Sequence, residues 1–315
     1  MESKENKAAH APSLGGGRGR LTILKVGGAV VEDEASLTQL ISNFATIPGP
    51  KVLVHGGGRS ATSLATQLGI ETRMVDGRRI TDDDMLRVVT MVYGGLVNKN
   101  IVAKLQAAGV NALGLTGADM DIIRSHKRGE KREERRERNV IDSPKNTQGE
   151  VIGRPIGLRL QSEAEQEQTS LLSPLSSLHK ETIDYGWVGD VDRADGQRLA
   201  TLLLEGITPV IAPLTHDGQG HLLNTNADTM AQTVACALAP YFHVSLRYAF
   251  EKRGVMRNPD DPTSLIPHIT EQDFHRLQAE GIVSGGMLPK LENALQAIRQ
   301  GVAEVRIGET VIAAQ

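Results

Sequence analysis

A series of short runs, at residues 21–26, 51–55, 111–115, 209–213, 243–249 and 304–307, carries apolar and often β-branched residues at consecutive rather than alternating positions. A strand that is apolar on both faces has to be buried on both faces, which is the situation of a parallel sheet covered by helices. The intervening segments at residues 37–47, 61–68, 85–93, 97–108, 199–204, 229–238, 274–279 and 291–302 space their apolar residues by three and four, the period of a helix with one buried stripe. This alternation predicts an α/β fold, a doubly wound sandwich around a mainly parallel central sheet.

One stretch breaks the rhythm. From residue 125 to about 182 the chain is charged and rich in Ser and Gln, and it opens with a run of mixed charge from His126 to Arg138. It reads as a polar insertion, either a surface excursion or a solvated helix laced with ion pairs.

The chain has 315 residues, enough for one large domain or two lobes, and a net charge of -3 that argues against nucleic acid or an anionic membrane as partner. Cys236 is the only cysteine, so neither an internal disulfide nor a CxxC metal site can form. Residues 1–20 lack the apolar core of a signal peptide, and no segment approaches the roughly 20 apolar residues of a membrane span, so a soluble cytoplasmic protein is expected.

The chemistry gathers where strands meet glycine. The first strand runs into Gly27 and Gly28, and the second into His55, Gly56, Gly57 and Gly58 followed by a helix. Glycines at such turns let backbone approach a bound anion, and the helix start supplies unpaired N–H donors. Neither turn has the spacing of a P-loop or of a dinucleotide fingerprint, which sets aside Walker-type NTPases and ordinary Rossmann dehydrogenases. A third cluster, Asn224-Thr225-Asn226-Ala227-Asp228, opens a helix with an N-capping residue. A fourth, Gly285-Gly286-Met287-Leu288-Pro289-Lys290, sets a lysine in the first turn of a helix, where a cation gains nothing from the helix dipole and an anionic partner is expected.

Taken in order, Lys25-Val26-Gly27-Gly28, Val54-His55-Gly56-Gly57-Gly58, Gly77-Arg78-Arg79-Ile80-Thr81, Asn224 to Asp228 and Gly286 to Lys290 resemble the acetylglutamate kinases of the amino-acid kinase family. The similarity extends from residue 21 to about 308 outside the insertion, and Tyr93-Gly94-Gly95-Leu96-Val97-Asn98-Lys99 matches the family's helix after the acyl-glutamate loop. The resemblance implies an open α/β/α sandwich of the carbamate kinase-like type. Residues 21–240 would form a lobe that binds the N-acyl-L-glutamate, and residues 241–315 a lobe that binds ATP with its Mg²⁺, no metal ligand coming from the protein. Lys25 and Lys290 would flank the phosphoryl group in transit and Asp228 would align them. Gly27, Gly28, Gly57 and Gly58 would offer backbone N–H groups to phosphate or carboxylate oxygens. Arg79, helped by Asn224, would hold the substrate α-carboxylate. Glu251, Gly254, Ser284, Gly286 and Met287 would lie beside the nucleotide.

Residue chemistry agrees with that reading. A glutamate γ-carboxylate, with a pKa of about 4.3, is already ionised at neutral pH, so phosphoryl transfer to it needs no general base. The barrier is repulsion between anions, and preorganised cations and N–H donors lower it.

The sequence departs from the family in the turn at Ala249-Phe250-Glu251-Lys252-Arg253-Gly254, where Glu251 stands at an aspartate position. The C-terminus is short beside the family's last strand, so a trimmed sheet edge is expected. Residues 1–20 lack the apolar stripe of the helix that assembles arginine-inhibited relatives into hexamers, which leads us to expect an arginine-insensitive homodimer. Whether the acyl group is acetyl or succinyl stays open at this level. So does a non-catalytic binding or regulatory role, and so does an amino-acid kinase with a different acceptor.

Overall fold

The structure is a computed structural model that describes residues 18–75, 77–130, 183–249, 253–258, 261, 263–283 and 287–313. Residues 1–128 and 185–315 form one compact unit, and residues 129–184 form a second, of which only 129, 130, 183 and 184 are described. The expectations for residues 1–17 and for most of the insertion therefore lie outside the described residues.

The first unit is built on an eight-stranded sheet in the order β12-β14-β13-β11-β1-β2-β8-β5. Its strands are β1 (Arg20–Val26), β2 (Lys51–His55), β5 (Ala112–Leu115), β8 (Thr208–Ile211), β11 (His243–Tyr248), β12 (His268–Ile269), β13 (Glu304–Ile307) and β14 (Thr310–Ile312). All neighbours are parallel except β13 and β14. Consecutive apolar residues do what the pattern requires of them, since Val52 and Val54 of β2 enter one core while Leu53 between them enters the other.

Helices cover both faces. On one side lie α2 (Glu34–Ala45), α3 (Gly58–Gln67) and a continuous helical segment made of α4 (Asp83–Val89), a π-helical stretch (Thr90–Val97) and α5 (Asn98–Ala107). On the other lie α6 (Gly196–Leu204), α7 (Ala227–Leu238), α8 (Glu271–Ala279) and α9 (Met287–Arg299), with α1 (Gly28–Glu32) bridging β1 to α2. Fully buried Leu37, Phe44, Ile101 and Leu105 fill the first layer and Leu199, Leu238, Phe242 and Leu291 the second. Each such side chain contributes about 1.5–3 kcal/mol by leaving water.

A smaller four-stranded sheet, β10-β9-β6-β7, stands beside the site. It comprises β6 (Ile123–Lys127), β7 (Gly189–Ala194), β9 (Leu214–His216) and β10 (Leu222–Asn224). Strand β6 runs through Ser125, His126 and Lys127, so these residues belong to the first unit. The described C-terminal residues add a strand to the sheet. Gly308 turns the chain with φ +60, and β14 then pairs with both β13 and β12, burying Thr310 and Ile312. A short hairpin of β3 (Met74–Val75) and β4 (Arg78–Arg79) overhangs the site.

Candidate active site

The ends of three elements meet around one carboxylate. Lys25 lies at the end of β1, and its Nζ is 2.5 Å from Asp228 Oδ1. Lys290, in the first turn of α9, places its Nζ 3.3 Å from Asp228 Oδ2. Asp228 is the second residue of α7, where the side chain of the capping Asn226 accepts the N–H groups of Asp228 and Thr229 at 2.8 and 3.2 Å. That capping leaves the Asp228 carboxylate to the lysines. Burial pushes its pKa up, but the two ammonium groups outweigh burial and the net shift is downward. Two like charges thus share one counter-charge, an arrangement that fixes both lysines and suits an incoming anion.

The two glycine turns stack on each other. The Gly56 N–H donates to the carbonyl of Val26 at 2.9 Å, and a Cβ on Gly56 would come within 3.4 Å of the Gly28 nitrogen. Gly57 caps α3 without a side-chain hydrogen bond, so the N–H of Gly58 stands at an open helix end. Glu32 closes part of that end by accepting from the N–H and hydroxyl of Ser60 at 2.5 and 2.9 Å. A Cβ on Gly57 would lie 2.9 Å from the Tyr93 ring, which makes glycine obligatory there as long as the tyrosine is present.

A cavity of about 190 Å³ opens beside these turns, lined by Gly57, Gly58, Arg78, Arg79, Tyr93 and Asn224 among others. Its wall includes Asn226 and Ala227, immediately before Asp228, so the cavity and the lysine pair adjoin. Arg79 is buried, and its guanidinium donates to the Gly58 carbonyl at 2.8 Å, to Thr62 Oγ1 at 2.9 Å and to Thr72 Oγ1 at 3.2 Å. It also meets the Tyr93 phenol, whose pKa rises because burial outweighs that contact. Arg79 therefore ties the β3–β4 hairpin to the glycine loop as well as lining the cavity. Asn224 is buried and donates to Thr81 Oγ1 at 2.9 Å, while Thr81 donates to the Arg79 carbonyl at 2.9 Å. Arg78 shares Asp190 with Arg128, at 3.6 and 2.7 Å respectively.

Lys25, Asp228, Lys290, Gly27, Gly28, Gly57, Gly58, Arg79 and Asn224 are thus brought to one end of the parallel sheet. Glu251, Ser284 and Gly286 lie outside the described residues. Gly254 packs against β14, where a Cβ would lie 2.7 Å from Thr310 Oγ1, and Met287 opens α9 half-buried against the core. Among the described residues no group of three or more His, Cys, Asp or Glu is placed to hold a metal ion.

Several contributors go unassigned in the sequence reading. Tyr93 and Arg78 also line the cavity, although neither residue type announces a role in its motif. Tyr248 is the register partner of Lys25 on β11, and its ring lies 5.9 Å from Lys290 Nζ. Glu32 carries no sequence signal beyond its distance from Gly28.

Comparison with known proteins gives the family. Residues 20–309 match the family model described as the amino acid kinase family. An acetylglutamate kinase from Bacteroides thetaiotaomicron is 52% identical over 290 residues, covering 92% of this chain and 93% of that one. An acetylglutamate kinase from Bacteroides fragilis is 52% identical over 288 residues, covering 91% of each. Among solved structures, that of smu.665 from Streptococcus mutans UA159 shares the fold with a TM-score of 0.65 at 24% identity, over 94% of this chain and 99% of that one. From the two-lysine site, the parallel sheet and these likenesses together, the chain belongs to the amino acid kinase family, among its acetylglutamate kinases.

Proposed function

We propose that this protein transfers the γ-phosphoryl group of ATP to the side-chain carboxylate of N-acetyl-L-glutamate, giving the acyl phosphate and ADP, a step of arginine biosynthesis. The observation that carries this reading is the pair Lys25 and Lys290 held on opposite oxygens of Asp228 beside the glycine turns. A carboxylate oxygen forms the new P–O bond as the bond from the γ-phosphorus to the β–γ bridging oxygen breaks, and no proton has to move. The side chains supply charge and aim: two ammonium groups beside the transferring group, and backbone N–H groups at the head of α3. Mg²⁺ supplies further charge neutralisation when it arrives with the nucleotide.

The division of labour follows the chain. Residues 21–240 carry the cavity and its glycine turns, and residues 241–315 are assigned the nucleotide, with Glu251, Gly254, Ser284, Gly286 and Met287 beside it. Arg79 and Asn224 are assigned the substrate α-carboxylate, with Gly27, Gly28, Gly57 and Gly58 facing phosphate and carboxylate oxygens. A cytoplasmic setting fits a chain in which no described helix is long and apolar enough to cross a membrane. A homodimer is favoured by β5, which ends the sheet among the described residues and carries the exposed Leu113.

A dicarboxylic acyl group such as succinyl is the second reading, and Arg78 favours it, because this second guanidinium lines the same cavity and could receive a second carboxylate. The test is ADP release in the presence of Mg²⁺ with N-acetyl- and N-succinyl-L-glutamate side by side. Turnover of either identifies the acyl group. Turnover of neither would favour a non-catalytic binding role or a different acceptor.

A further inference from the structure

We propose that His55 is a positioning residue for phosphoryl transfer, because its neutral imidazole holds the Gly56 carbonyl and so aims the N–H of Gly57 at the reacting oxygens. This rests on the kinase reading above. The imidazole is fully buried at the end of β2, on the same side of the sheet as Val26 and Leu53. Its Nδ1 lies 2.8 Å from the Gly56 carbonyl oxygen, and its Nε2 lies 3.1 Å from Asn98 Nδ2.

The tautomer follows from the neighbours. Asn98 Nδ2 also lies 2.9 Å from the Val210 carbonyl, which can only accept, so the amide nitrogen of Asn98 faces both groups as a donor. Nε2 of His55 must then accept, and the ring proton of a neutral imidazole sits on Nδ1, where it donates to Gly56. Burial keeps the ring neutral, lowering its pKa to about 4.

The consequence lies one peptide away. In a trans peptide the carbonyl and the following N–H point in opposite directions. Pinning the Gly56 oxygen on His55 therefore turns the Gly57 N–H away from the core, towards the cavity that Gly56, Gly57 and Gly58 line. A peptide flanked by two glycines rotates easily when left alone. Asn98, at the start of α5 and itself buried, anchors the ring from behind, and Gly114 leaves it the room, since a Cβ there would collide with Asn98 Oδ1. Asn98 of α5, itself held by the Val210 carbonyl of β8, thus braces the β2 imidazole that fixes one peptide.

Two substitutions separate this role from packing. In His55→Asn the amide nitrogen takes the place of Nδ1 and keeps the donor to Gly56, whereas in His55→Gln the amide reaches the position of Nε2 and loses it. With melting temperatures recorded alongside, His55→Gln is expected to lose roughly 10–100-fold in kcat, less than the roughly 10²–10³-fold that follows outright removal of an oxyanion donor because the N–H is misaimed and not lost, with KM for acyl-glutamate and ATP unchanged. His55→Asn is expected to stay within about threefold of wild type. Equal losses in both variants, no loss in His55→Gln, or a loss confined to KM would overturn the proposal. If neither variant folds, long-range ¹H–¹⁵N NMR of the unsubstituted protein decides: a proton on Nδ1 at neutral pH is expected, and a proton on Nε2 would sink the idea. Failure of the kinase reading itself is distinguishable, because it shows as inactivity of the wild-type protein towards every acyl-glutamate.

Discussion

At the scale of single residues, the site is an exercise in holding like charges close together. Lys25→Ala and Lys290→Ala should each reduce kcat by about 10²–10³-fold, with KM for the acyl-glutamate little changed, because each ammonium acts on charge that develops in transfer. Steady-state rates in both substrates check this. Arg79→Lys is expected to raise KM and to cost about 1–3 kcal/mol of stability in urea titrations, since one ammonium cannot reach the acceptors on Gly58, Thr62 and Thr72 that the planar guanidinium spans. His55 gives a pH dependence with a definite sign. Its pKa is about 4 in the fold against an ordinary 6.5, so unfolding takes up a proton between those values. The stabilisation is complete above pH 6.5 and is lost as pH falls towards 4, amounting to about 2 kcal/mol between about pH 7 and about pH 5. Asp228, shifted downward, loses its contribution only below the ordinary carboxylate value of 3.8, beneath this window. Urea midpoints at the two pH values should differ in the wild type and converge in His55→Asn. The residues with charges or glycine turns were legible from sequence because their chemistry is unusual for their position, Lys290 at a helix start above all. Tyr93 was not, because a tyrosine in a helix carries no sign of which glycine its ring will meet.

At the scale of elements, apolar runs and helical spacing located β1, β2, β5, β8, β11 and β13 and most helices, since burial on both faces leaves a pattern that no surface segment shares. The same criterion missed the short β12 and β14 and the strands of the smaller sheet, β6 and β7 among them. Their polar residues pair with one another and with neighbours, as His126 does with Asp192 and Arg124 with Asp121, so charges that look solvated in one dimension are partners in three. The π-helical stretch Thr90–Val97 was also invisible, because it differs from an α-helix by hydrogen-bond register and not by composition. That stretch presents Tyr93 to the glycine loop. Gly57→Ala should therefore lower both stability and kcat, as the added methyl would sit 2.9 Å from the ring, and Tyr93→Leu in the same chain should restore part of the stability. A double-mutant cycle on thermal unfolding reads the coupling, and strict additivity would show that the ring and the loop are independent.

At the scale of the whole molecule, one end of a parallel sheet collects a cation from β1, a carboxylate from α7 and a second cation from α9, with β1 more than 200 residues ahead of the other two in sequence. No single motif states the chemistry; their order along the chain does, and the fold turns that order into proximity. Among the described residues the same sheet ends in β5, which predicts a dimer: light scattering should return twice the chain mass, and Leu113→Lys should shift it towards the monomer. Service of the two lysines on Asp228 in phosphoryl transfer to an acyl-glutamate carboxylate is read out by trapping the product as a hydroxamate. With Mg²⁺-ATP and N-acetyl- or N-succinyl-L-glutamate, the wild-type protein should form the acyl phosphate, and Lys290→Ala should form it about 10²-fold more slowly or worse. An acyl phosphate formed at the wild-type rate by Lys290→Ala, or none formed by the wild type from either substrate, would contradict it.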